Sequence, residues 1–224
     1  MVLAWQRHHC HDEEVGPITG AGAGERSNIE WGSAGAALEG GESGDVHVVA
    51  PFPNGVLIAA IDGLGHGPEA AFAAKEAARL LEALAGAPIL TLVRQCHEGI
   101  RRTRGVVMSL ASLDTRASSI TWTGVGNVEG VILRAGGSAS GPSEAIPARG
   151  GVVGYQLPPL KATTVPVSLG DTLVMATDGI RSGFTAGVDL RRSAQQIADS
   201  ILAGHARGSD DALVVVVRYL GGAP

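Results

Sequence analysis

The stretch DVHVVAPFPNGVLIAAID, residues 45–62, constrains this chain more than any other. Two apolar runs rich in β-branched residues flank Pro53-Asn54-Gly55, a pattern that predicts a β-hairpin. A turn centred on Pro53-Asn54 sets Asp45 against Asp62, and a turn one residue later shifts that pairing by only two positions. Either way, two carboxylates meet at the open end of one hairpin. Like charges across a ladder repel, so a positive group is expected between them.

Asp62 is followed by GLGHG and then by PEAAFAAKEAARLLEALAG. Pro68 suits a first helical turn and Gly86 a stop. Ala73, Ala77, Leu80, Leu81 and Leu84 recur at helical spacing, with Lys75, Glu76, Arg79 and Glu82 on the other face. That predicts an amphipathic helix packed on a sheet. A Gly-rich strand-to-helix turn is ordinary in itself. Without Cβ atoms at Gly63, Gly65 and Gly67, however, a main-chain carbonyl can turn toward a cation and a substrate can approach the backbone.

PILTLVRQCHEGIRR reads as a second helix. GVVMSLASLD, SSITWTGVG and NVEGVILRAGG follow as a meander of strands with no helix between them, so antiparallel pairing is expected. Residues 136–160 are rich in Gly, Ser and Pro and are expected to form a long loop. DTLVMATD is a strand ending in Asp178-Gly179, LRRSAQQIADSILAGH a helix, and ALVVVVRYL a buried strand. The fold class is α+β. Residues 1–26, with the aperiodic GPITGAGAGE, read as a flexible arm preceding a domain over 27–220. The arm's HHCH, His8 to His11, lacks the spaced loop geometry of a structural zinc site and reads as solvated.

Apolar residues make up 45% of the chain and aromatics only 4%, so the core must be built from Ala, Val, Leu and Ile. A net charge of −5 argues against a general binder of nucleic acid or anionic membrane. No apolar run approaches the ~20 residues of a membrane span, and the N-terminal residues lack a signal-peptide core. Cys10 and Cys96 form no disulfide framework, so a cytoplasmic location is expected.

Asp62 and Asp178 end apolar strands, whereas Asp45, Asp210 and Asp211 begin them. One such aspartate is a turn residue. Several at strand ends, two of them facing across a hairpin, indicate a cation site, and carboxylate oxygens select hard cations such as Mg²⁺ or Mn²⁺.

GD (44–45), DGLGHG (62–67), ATDG (176–179) and SDDALVVVV (209–217) occur in that order. Together they resemble the acidic motifs of the metal-dependent PP2C-type (PPM) serine/threonine phosphatases, over roughly residues 40–219. DGLGHG before an Ala-rich helix is similar to the SpoIIE branch. RQCHEGIRRTRG, GVGNVEGVIL and the short chain resemble its RsbX-like stressosome phosphatases. The resemblance implies a PP2C-like αββα sandwich of two antiparallel sheets flanked by helices. It implies two Mn²⁺ or Mg²⁺ ions, one held by Asp45, Asp62 and the Gly63 carbonyl, the other by Asp62, Asp178 and Asp210, with Asp62 bridging. Asp211 stands where the family often has Asn. A metal-activated water would hydrolyse phosphoserine or phosphothreonine on a STAS-domain stressosome protein, the enzyme acting as a cytoplasmic monomer. The alternative is a PP2C-like binding module that holds a cation structurally and docks a partner.

Some positions depart from that pattern. Leu64 occupies the place of the general-acid histidine of DGH-type enzymes, and His66 reads as a turn residue. Gly126-Asn127 replaces the Gly-Asp linked to a third metal in many bacterial enzymes, so two metals are expected. Cys96-x5-Arg102 has the spacing of cysteine-dependent phosphatases. Leu92, Val93, Cys96 and Ile100 nevertheless share a helical face, which predicts a buried thiol. Arg101, Arg102 and Arg104 are either a solvated face or a contact for a phosphoprotein. His205 and Arg207 read as a helix stop.

Overall fold

The structure is a computed structural model that describes residues 28–38, 41–136 and 143–221. The N-terminal arm and its HHCH cluster lie outside the described residues. The chain runs β1 (Ile29–Ala36), β2 (Asp45–Phe52), β3 (Gly55–Gly63), α1 (Pro68–Ala83), α2 (Ile89–Gly99), β4 (Val106–Asp114), β5 (Ser119–Val125) and β6 (Glu129–Leu133). It continues through β7 (Glu144–Ala145), β8 (Ala148–Arg149), β9 (Thr163–Pro166), β10 (Thr172–Ala176), α3 (Ala194–His205) and β11 (Ala212–Tyr219).

Two sheets form. One has the order β1-β11-β10-β6-β7, the other β2-β3-β4-β5-β8, with β9 also paired to β5. Among the described residues, all ladders are antiparallel except the two-residue β5–β8 pairing. The side chains of β3 show how the layers stack. Leu57, Ala59 and Ile61 join a core with Ala74, Ala77 and Leu81 of α1 and Leu92 and Val93 of α2. Val56, Ile58 and Ala60 point the other way, into a core shared with Met175 of β10 and Val215 and Val217 of β11. Strand β11 repeats the pattern, with Val214 and Val216 packed against Ile197 and Ile201 of α3. The layers are therefore helix, sheet, sheet, helix. Central strands buried on both faces explain why β11 reads as a continuous apolar run, although its neighbours are antiparallel.

Helix α1 begins at Pro68 and buries Ala70, Ala71, Ala73, Ala74, Ala77 and Ala78, small side chains that let it lie close on the sheet. Helix α3 starts at Ala194, a few residues later than its apolar pattern suggests. Ser193 caps it in a reciprocal box with Gln196.

The expected meander is corrected in one place. Strands β4 and β5 pair, but β6 crosses to the other sheet and pairs with β10. Gly126 makes the crossing with φ of 100°, a backbone region that favours glycine. Residues 143–160, the longer described part of the loop expected over 136–160, are not unbroken loop. They hold β7 and β8, and Val152 and Val153 add single bridges to Gln156 and Val106. Strand β1 has no strong sequence signature because it is rich in Gly and Ala. It needs small residues: a Cβ at Gly32 would lie 2.5 Å from the Gln195 backbone of α3. Among the described residues, no helix is long and apolar enough to cross a membrane.

Candidate metal centre

The hairpin register sets Asp45 directly across from Asp62. Asp45 opens β2, an outer strand of its sheet, and Asp62 lies one residue from the end of β3. The other sheet contributes Asp178, just past β10, and Asp210 and Asp211, just before β11. Strands β10 and β11 are antiparallel neighbours, so the end of one lies beside the start of the other. The sandwich thus brings all of these carboxylates to one end of the seam between the sheets.

Electrostatics confirm their proximity. Burial pushes the Asp45 carboxyl up to about 8, and the charges of Asp62, Asp211 and Asp178 push it the same way against a hydrogen bond from Thr177. Burial pushes Asp62 up to about 7, with Asp178, Asp210 and Asp211 adding repulsion. Each carboxylate is held where its charged form is disfavoured. Among the described residues, none of these aspartates has an ion-pair partner. Nor are any three of them drawn into a closed cation cage. Mutual repulsion between bare carboxylates opposes such closure. The donor set is oxygen-only and uncompensated, and it fits a hard divalent cation.

The glycines of the two Asp-Gly turns have a packing reason beyond the one read from sequence. A Cβ on Gly63 would overlap the Ala70 carbonyl in the first turns of α1, and one on Gly179 would overlap the Asp211 carbonyl. Both turns are pressed against neighbouring backbone, which sets where the preceding aspartates stand. The end of α3 braces the second turn: the Arg207 N–H donates to the Gly179 carbonyl at 2.8 Å. His205 accepts at its carbonyl from the Arg181 N–H.

Asn127 approaches this cluster. Its amide donates to Asp178 Oδ2 at 2.8 Å. Asp211, 5% exposed, uses both oxygens on backbone, accepting from Leu38 N–H at 2.7 Å and Gly44 N–H at 2.6 Å. An asparagine there would turn its amide toward one of these N–H donors, so the aspartate suits its own surroundings. Thr177, 2% exposed, donates its hydroxyl to Asp45 Oδ2 at 2.7 Å. The roles of Thr177 and Asp211 went unread in the sequence. A signal existed for the threonine: it shares a strand face with Leu173 and Met175, which point into the seam.

Other chemistry-bearing residues lie elsewhere. Cys96 is buried between α2 and α1, its thiol pushed up to about 12 by burial and its Sγ 3.9 Å from the Ala77 carbonyl. Arg102 is exposed in the turn after α2. A buried, protonated thiol in a helix cannot act as the nucleophile of a phosphate-cradling loop. His66 is exposed in the turn before α1. Arg101 pairs with Glu98 at 3.0 Å and Arg104 with Glu69.

The sequence model of the family described as Stage II sporulation protein E (SpoIIE) matches residues 53–220. The chain belongs to the SpoIIE family. Solved structures agree with that placement. A chain from a study of the bacterial stressosome, a modular system adapted to control secondary messenger signalling, is 31% identical with a TM-score of 0.77. The match covers 85% of this chain and 99% of that one. RsbX in complex with magnesium is 20% identical over 87% of this chain and 97% of its own, with a TM-score of 0.76. The SpoIIE phosphatase domain of Bacillus subtilis is 24% identical over 88% of this chain and 94% of its own, with a TM-score of 0.60. Those two likenesses show the fold, that of the PP2C-type phosphatases. No curated protein matched the sequence.

Proposed function

We propose that this SpoIIE-family chain is a metal-dependent protein phosphatase that hydrolyses phosphoserine or phosphothreonine on a STAS-domain protein of a stress-signalling assembly. One observation carries the reading: Asp45, buried, and Asp62, half-buried, face each other beside Asp178 and Asp210, with no basic side chain paired to any of them among the described residues. A scaffold that only docked a partner would gain nothing from holding carboxylates where their charge is disfavoured.

Asp45, Asp62 and the Gly63 carbonyl would hold one Mn²⁺ or Mg²⁺ ion. Asp62, Asp178 and Asp210 would hold a second, with Asp62 shared. When bound, such cations ease ionisation of a water and offset charge on phosphoryl oxygens. The chain's own groups do the rest. Asp62 and Asp178 stand on turns braced by neighbouring backbone, and the Asn127 amide orients Asp178. Burial of Asp45 and half-burial of Asp62 limit competition from bulk water at those two carboxylates. Asp211 is committed to two backbone N–H groups and stays out of the ligand set. The stressosome setting of the 31%-identical chain supports a substrate within a signalling assembly, and the proposed site of action is the cytoplasm.

The test is release of phosphate from a STAS-domain protein phosphorylated by its cognate kinase. Activity is expected with added Mn²⁺, none in EDTA, and recovery on readdition. Full turnover in chelator would overturn the metal mechanism. Absence of turnover with every phosphoprotein and with para-nitrophenyl phosphate would favour the docking role.

A further inference from the structure

On the reading above, Asp45 has to be held at a fixed place, yet its own sheet secures it weakly. It is the first residue of β2, and β2 is an outer strand whose only ladder partner among the described residues is β3. The additional hold comes from the opposite sheet. We propose that Thr177 is a positioning residue for Asp45, its hydroxyl fixing one carboxylate oxygen so that the other is presented to a cation.

The argument rests on how the Thr177 hydroxyl is itself fixed. Its backbone N–H donates to the Leu213 carbonyl at 3.1 Å, extending the β10–β11 ladder by one residue. Its Oγ1 accepts the Leu213 N–H at 2.9 Å. The oxygen is therefore anchored in the sheet, and its single proton has two acceptors within reach. Asp45 Oδ2 is at 2.7 Å and the Leu213 carbonyl at 3.5 Å, so the proton goes to Asp45, by far the shorter bond. Both groups are buried, where such a bond is strong and its loss costly. Among the described residues, Asp45 Oδ1 takes no hydrogen bond. Asp211 secures the same strand start from behind. Its Oδ2 accepts the N–H of Gly44, the residue before Asp45, and its Oδ1 accepts that of Leu38. Two bonds from one sheet thus stitch down the edge of the other at Asp45.

Thr177→Val tests this without changing charge and with almost no change in shape. Calorimetric titration of Mn²⁺ into the whole chain is the readout, with circular dichroism to check folding. The wild type is expected to bind, and Thr177→Val to lose about tenfold or more in affinity at its tighter site. Thr177→Ser, which keeps the hydroxyl, should stay within about threefold of wild type. If the valine chain does not fold, Thr177→Ala is held to the same limit. Wild-type affinity in the valine or alanine variant would overturn the proposal, and so would a serine variant as weak as valine. A wild-type protein that bound no Mn²⁺ would instead sink the metal reading, and the role of Thr177 with it.

Discussion

Asp45 and Asp62 are registered partners on adjacent antiparallel strands, Asp45 buried and Asp62 half-buried. Burial raises both carboxyls, to about 8 and about 7, with Asp62 repelling Asp45, and Asp178, Asp210 and Asp211 repelling Asp62. A raised carboxyl favours the protonated folded state, so its stabilisation is present below its unfolded value and is lost as pH rises through its folded one. Metal-free protein should therefore lose stability between about pH 5 and pH 8. Asp62→Asn removes one of the groups responsible. In chelator it should raise Tm, and by more at about pH 8 than at pH 5, the difference corresponding to on the order of 1 kcal/mol. Thermal unfolding at the two pH values measures it. An equal effect at both would show that the pair is not strained by its charge.

With Mn²⁺ present the same substitution should act in the opposite sense. Asp62→Asn and Asp178→Asn are each expected to lower kcat/KM by at least about a hundredfold, some 2.7 kcal/mol of transition-state stabilisation, while circular dichroism stays native. Near wild-type turnover in either variant would remove that residue from the ligand set.

Asn127 donates to Asp178, and a carboxylate in its place would lose that bond and add a charge. The wild type should show at most two tight Mn²⁺ sites by calorimetry. Asn127→Asp should bind an additional Mn²⁺ more strongly than wild type does. Three equally tight sites in the wild type would mean that Asn127 does not limit metal number.

Gly63 leaves no room for a side chain beneath the Ala70 backbone. Gly63→Ala must push α1 away from β3 or distort the turn that follows Asp62, and overpacking of this kind costs roughly 1–3 kcal/mol. Urea unfolding should show a lowered midpoint with little change in slope. A variant as stable as wild type would show that α1 can yield at this point.

Cys96 packs among apolar neighbours, far from any role as nucleophile. Cys96→Ser should keep its phosphatase activity and lose about 1 kcal/mol of stability, from a hydroxyl placed in an apolar site. A folded serine variant without activity would reinstate a thiolate mechanism.

Much of the centre was legible because its decisive feature is local. The two arms of the β2–β3 hairpin are short, apolar and joined by Pro53-Asn54, and turn chemistry leaves two nearby registers, both bringing Asp45 close to Asp62; the structure adopts the one centred on Pro53-Asn54. In that register Asp45 stands directly across from Asp62. The apolar face of α1 as far as Leu81 and the burial of Cys96 followed equally from periodicity within one element, whereas Leu84, expected on that face, lies past the helix end and is exposed. What the tertiary structure decided lies between elements. Strand β1 is rich in glycine and alanine because α3 presses on it, so its own composition could not mark it as a strand. Strand β6 leaves the expected meander because the chain turns at Gly126 to complete the other sheet. The hydrogen bond from Thr177 to Asp45 joins residues 132 positions apart. No local propensity encodes such a contact; it exists only once the two sheets pack and two separate apolar faces share one seam.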